Sequence, residues 1–220
     1  MVESGLTARV SFRTVTALEA VAVVVSVLVA LWIVVPLYSG NYWLIAVPSL
    51  MALSLMIYSH RERAESLEEI GFTRKHFLHA LRLLVAPMLA AALLLLLVGY
   101  WFKSMRNVDD VLLKLATLPL WGLVQQYVLQ GFIYRRVREV VGRGLLPVVI
   151  TAGVFALVHL PNLSLTVLSF AGGLVWTWAY ERAPNLFALG ISHGLMSLLV
   201  MTTLPPWMLP SFGAGYKYFH

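Results

Sequence analysis

WGLVQQYVLQGFIYRR, residues Trp121–Arg136, decides how the rest of the chain is read. It is a long apolar run interrupted by Gln125, Gln126 and Gln130, and it exits into a basic cluster. An amide buried without a partner costs roughly 2–7 kcal/mol, and lipid supplies no partner. On a helix, positions 126 and 130 share one face a turn apart, with 125 about 100° round from 126. Three amides so close are expected to face a protein interior, with His159 and His193 as their companions.

The chain around this stretch has 220 residues, of which 60% are hydrophobic and only 12% charged, and its mean hydropathy is +0.83. A soluble domain is about a quarter charged, so the composition is that of an integral membrane protein. The net charge of +6 does not make it a nucleic-acid binder. Its basic residues sit between apolar runs, where they orient spans. There is no cysteine, which excludes a disulfide framework, a thiolate metal site and a catalytic thiol. The first apolar run is too long for a signal-peptide core and lacks a clear small-x-small cleavage pattern, so it reads as a retained anchor.

The pattern predicts an all-α polytopic membrane protein of about seven spans, forming one membrane domain over residues 1–220. A polar lead, 1–13, precedes spans at 16–38 and 42–59, with Ser39-Gly40-Asn41 between them and Tyr42 and Trp43 as interfacial anchors. In residues 60–82, Ser66 and Glu69 have capping-box spacing, and Gly71 interrupts any helix. Phe77, Leu78 and Leu81 among Arg74, Lys75 and Arg82 predict a helix on the membrane surface. The third span follows at 83–102, then a polar loop at 103–110, where Asp109 or Asp110 can cap the next helix. That fourth helix, with Pro119 and Gly122 as bending points, carries the glutamines and ends at Arg135, Arg136 and Arg138, read as anchors. Spans at 145–160, 163–180 and 185–204 complete the set, and the tail 205–220 reads as an interfacial cap. Residues 1–110 thus hold the first spans and the surface helix, and 111–204 the motifs. Twelve of the sixteen Lys and Arg residues fall on the side of the amino terminus, which places that terminus in the cytoplasm.

His159 and His193 lie late in the fifth span and near the middle of the seventh. A membrane histidine often only joins two helices, but an ionisable group inside a membrane is a functional-site candidate by default. The series Gln125-Gln126-x-x-x-Gln130-Gly131, Phe155-x-x-x-His159 and His193-x-x-x-Ser197 resembles the CPBP family of intramembrane endopeptidases, which includes the type II CAAX prenyl proteases. That family's pattern is Glu-Glu-x-x-x-Arg, Phe-x-x-x-His and His-x-x-x-Asn or Asp. The likeness is specific over 120–204 and looser from Ser66 onward. It implies a CAAX-protease-like core that processes membrane-tethered peptides or proteins, with membrane lipids as neighbours. It implies no cofactor, and the setting is a prokaryotic cytoplasmic membrane. By resemblance, positions 125, 126, 159 and 193 are catalytic, with Gln130, Ser197 and Asn162 as substrate-binding or oxyanion donors.

The chain departs from the family where the chemistry is done. Both glutamates are Gln, the arginine is Gln130, and the final Asn or Asp is Ser197. Glutamine is not a general base, and none of the ten acidic residues falls within the fifth or seventh span or the motif run. Three readings stay open. His159 or His193 acts as the base of a hydrolase, since neutral imidazole is competent near pH 7. Alternatively the cavity binds a peptide tail or lipid without cutting it, or its amides line a path for a small solute or lipid. Two histidine nitrogens without a carboxylate or thiolate lack the usual ligands of a divalent ion, so no metal is expected. Gly172-Gly173 predicts close helix packing, and Trp121, Trp176 and Trp178 read as packing or belt residues.

Overall fold

The computed structural model describes residues 2–38, 42–107 and 109–219, with backbone only for 2–11, 42 and 45. Among the described residues every regular element is helical. Helix α1, Val2–Val29, runs through a π-helical turn, Ala30–Val34, into α2, Val35–Leu37. Then come α3, Tyr42–Glu62, the short α4, Leu67–Ile70, and α5, Phe77–Trp101. Helix α6, Val111–Gln126, continues through a π-helical stretch, Tyr127–Tyr134, into α7, Arg135–Val141. The rest is α8, Leu145–Leu157, α9, Leu163–Arg182, α10, Leu186–Thr203, and a 3₁₀ turn, Gly215–Tyr218. Among the described residues four stretches are long and apolar enough to cross a membrane: Phe12–Leu37, Phe77–Trp101, Leu163–Arg182 and Leu186–Thr203. The chain is therefore an all-α polytopic membrane protein.

The local sequence explains the ends of these helices. Ser66 and Glu69 form the expected capping box: Glu69 N–H donates to Ser66 Oγ at 3.2 Å, and Ser66 N–H to Glu69 Oε2 at 2.7 Å. Gly71, with φ +105°, then ends α4 in a conformation that favours glycine. Its carbonyl accepts the Leu186 N–H at 2.9 Å, which docks this turn against the start of α10. Asn162 caps α9 and Asn185 caps α10 through their side-chain oxygens.

Several expectations need correction. The polar lead is helical from Val2, continuous with the first span. There is no separate surface helix after Thr73. Helix α5 starts at Phe77 and runs unbroken to Trp101, because no residue at 77–82 breaks the periodicity that continues into the span. Neither Asp109 nor Asp110 caps α6: the cap residue Asp110 sits at φ 53° and makes no capping hydrogen bond. The Ser39-Gly40-Asn41 turn and the Tyr42 side chain lie outside the described residues, while Trp43 is exposed.

Arg135 and Arg136 are not free surface anchors. Arg136 is fully buried and grips Glu65 with two nitrogens, at 2.7 and 3.1 Å. It also reaches Ser59 Oγ at 3.1 Å and Glu139 at 3.3 Å, and its guanidinium lies 4.8 Å from the Phe132 ring centre. Arg135 pairs with the same Glu65 and donates to the Glu69 carbonyl at 2.8 Å. His60 Nδ1 lies 2.6 Å from the Glu65 carboxylate. Arg63 joins Glu19 of α1 at 2.8 Å to Glu139 of α7 at 3.3 Å. Burial pushes the Glu65 carboxyl up, but hydrogen bonds from His60, Arg136 and Arg135 outweigh it and hold the group far below the usual carboxylate range. This node binds α1, α3 and the α3–α4 linker to α7, the helix that continues the glutamine run.

At the other end of the bundle, the tail folds back onto the α8–α9 connection. Asn162 Nδ2 donates to the Ser211 and Gly213 carbonyls at 2.9 and 3.2 Å, and Gly215 N–H donates to the Leu160 carbonyl at 2.8 Å. The tail is thus a strap over the loop that follows His159.

Candidate functional site

Helices α6 and α10 bring Gln126 to His193 because glycine lines their contact. A Cβ on Gly122 meets the Gly190 carbonyl at 2.7 Å and His193 Cβ at 3.1 Å, and one on Gly190 meets the Leu123 backbone at 2.8 Å. A side chain at either place forces the backbones apart, as in the small-x-x-x-small contacts of membrane helices. Gly190 and Gly194, which flank His193, form such a pair. Their four-residue spacing is legible in the sequence. Gly173 packs closely too: a Cβ there would meet Ala152 Cα of α8 at 3.0 Å.

Gln126 is fully buried, and its Nε2 lies 3.2 Å from His193 Nδ1. The amide donates there, so neutral His193 carries its proton on Nε2. The ring is fixed from both sides: it stacks on Trp176 at 4.5 Å and 20°, and meets the edge of Phe155 at 5.7 Å. Trp176 is held in turn by its indole N–H, which donates to Ser192 Oγ at 2.9 Å.

His159 has the opposite polarity. Its Nδ1 donates to the Phe155 carbonyl at 2.7 Å, so the neutral ring presents an unprotonated Nε2. The ring packs edge-on against Phe155 at 4.9 Å and is half-buried. One phenyl group therefore touches a histidine that can accept a proton and a histidine that can donate a hydrogen bond. Neither is hydrogen-bonded to a carboxylate among the described residues.

The remaining candidates scatter. Gln130, fully buried, donates to Thr177 Oγ1 of α9 at 2.9 Å. Gln125 is half-buried, and Ser197 is half-buried one turn beyond His193. Asn162 caps α9 through its side-chain oxygen and holds the tail through Nδ2. The π-helical stretch 127–134 explains why Gln126 and Gln130 meet different neighbours, since the wider turn changes the angle between positions four apart. Gln126 Oε1 and Gln130 Oε1 are buried without a hydrogen-bond partner. Each such atom costs about 1–3 kcal/mol, and atoms of this kind concentrate where function outweighs stability. Among the described residues no group of three or more His, Cys, Asp or Glu could hold a metal ion.

Fold and site together define a helical membrane protein with a buried amide–imidazole contact between two closely packed helices. Residues 107–199 match the family model described as type II CAAX prenyl endopeptidase Rce1-like. The match spans the glutamine run and both histidines, so the resemblance carried by these motifs extends over that whole segment. No curated protein and no solved structure matches the chain.

Proposed function

We propose that the chain is a CAAX-type intramembrane endopeptidase-like protein that cuts a membrane-tethered peptide or protein with histidine in place of glutamate as the base. The observation that carries this reading is the opposite polarity of the two histidines on Phe155. His159 Nε2 takes a proton from water, and the resulting hydroxide adds to the scissile carbonyl carbon. His193 Nε2–H donates to the oxyanion as it forms. The His159 imidazolium then returns its proton to the departing amine nitrogen as the C–N bond breaks. A positioned base of this kind contributes about 10²–10⁴-fold, and one oxyanion donor about 10²–10³-fold. Gln126 is a positioning residue, since it fixes the tautomer of His193 without reaching the substrate.

In this reading Tyr42–Glu62, the run 111–141 and the short α8 complete seven crossings in a prokaryotic cytoplasmic membrane, with the amino terminus inside. The test is a cleavage screen of purified protein over membrane-tethered peptides, with Gln125→Glu, Gln126→Glu and His159→Ala beside wild type. Turnover by wild type that His159→Ala abolishes is the expected result, and an inert wild type overturns the reading. One observation favours a second reading, a receptor that holds a peptide tail without cutting it: no carboxylate backs either histidine. A Gln126→Glu variant that gains cleavage over an inert wild type selects that alternative.

A further inference from the structure

A groove of about 650 Å³ runs between α5, α8 and α9, away from the histidines. Its walls are Pro87, Leu145, Val148, Leu174, Val175 and Trp178, and Glu181 and Arg182 stand at one end. From Leu174 to Arg182 the helix rises about 12 Å, so the groove runs from the Arg182 end of α9 toward the middle of that helix. Its origin is the length of α8. Thirteen residues rise only about 20 Å, short of the ~30 Å hydrocarbon layer, whereas α5 with 25 residues and α9 with 20 reach across it. A notch remains where α8 begins late.

We infer that this groove is a site for one phospholipid, its acyl chain lying along Leu174 and Val148 and its phosphate meeting Arg182. Three observations fix the occupant. The walls are apolar side chains of α5 and α9, two helices long enough to cross a membrane, and of α8, which suits an acyl chain and not water or a peptide backbone. The guanidinium of Arg182 lies 4.6 Å from the centre of the Trp178 ring, which itself walls the groove, so the charge is held at the mouth. Its Nη1 donates to the Trp178 carbonyl at 3.0 Å, and among the described residues it has no carboxylate partner, so donors remain for an anion. The neighbouring Glu181 suits the ammonium of a zwitterionic head group, so phosphatidylethanolamine fits better than an uncharged lipid. The site is independent of whether the histidines cleave anything.

The experiment is native mass spectrometry of the delipidated full chain in detergent, titrated with phosphatidylethanolamine and, separately, with diacylglycerol. Wild type is expected to take up one phosphatidylethanolamine saturably and to bind diacylglycerol at least fivefold more weakly. Leu174→Trp fills the groove and is expected to weaken phospholipid binding tenfold or more. Arg182→Gln, at an exposed position, is expected to bring phosphatidylethanolamine down to the diacylglycerol level. Equal binding by wild type and Arg182→Gln overturns the assignment. So does displacement of the phospholipid by a farnesylated cysteine ester at lower concentration, which makes the groove the seat of a substrate's lipid anchor instead.

Discussion

Gln126 donates its side-chain amide to Nδ1 of His193 across 3.2 Å, and this contact sets which nitrogen of the imidazole holds the proton. A carboxylate at the same position accepts from Nδ1–H instead and moves the lone pair to Nε2. Gln126→Glu is therefore expected to invert the tautomer of His193 with little movement of the ring, which Trp176 and Phe155 continue to hold. Nitrogen-15 chemical shifts of labelled histidine report this directly. An unchanged tautomer in the variant contradicts the assigned direction of the hydrogen bond.

Glycine packing is expected to matter as much as the polar contact. Gly190→Val drives a side chain into the Leu123 backbone, only 2.8 Å from where its Cβ must sit. Overpacking of this kind costs about 1–3 kcal/mol, and it pulls Gln126 off His193. Gly153→Ala on α8 meets nothing within 4 Å and is expected to gain about 0.5–1 kcal/mol from helix propensity. Thermal unfolding in detergent separates the two, and equal effects refute the role given to Gly190.

Arg136 is expected to be a large single contributor to stability among the basic residues. Its removal leaves Glu65 buried with a broken pair, and losing one partner of a buried ion pair costs about 3–5 kcal/mol. Arg138, whose guanidinium lies 5.7 Å from the Tyr134 ring centre, is expected to cost about 1 kcal/mol or less when replaced by Ala. Chemical denaturation of both variants tests the ranking, and a milder effect for Arg136→Ala than for Arg138→Ala reverses it.

The same node gives a pH dependence whose sign follows from Glu65. Its carboxyl titrates lower in the folded chain than the ordinary value of 4.5. The unfolded chain thus binds the proton first as pH falls. The stabilisation is fully present above the unfolded value and is lost progressively below it, toward the folded one. Wild type should lose melting temperature as pH falls from about 5 to about 3. Glu65→Gln should start lower at neutral pH and show a flatter acid limb. Parallel limbs for the two proteins rule out Glu65 as the source.

Some of this was legible in the sequence, for physical reasons that can be named. Composition gave the membrane class because hydrocarbon tolerates so few charges. Ser66 and Glu69 announced their capping box because that motif is local. The glutamines announced a buried polar centre because lipid cannot satisfy an amide. Arg136 was misread because its partners, Glu65, Ser59 and Glu139, come from three separate segments, and no local pattern ties them together. The hold of Asn162 on the tail was equally hidden, since its partners Ser211 and Gly213 lie some fifty residues away. The split between Gln126 and Gln130 could not be read from a regular helical wheel, because the π-helical stretch alters the wheel between them.

The central claim is that His159 supplies the base, and kinetics on a single cleaved peptide test it most directly. With wild type and His159→Ala compared at saturating substrate, kcat is expected to fall about 10²–10⁴-fold while KM stays nearly constant. The wild-type rate should also show an acidic limb that the variant lacks. A His159→Ala protein that cleaves at the wild-type rate, with the same pH profile, contradicts the account.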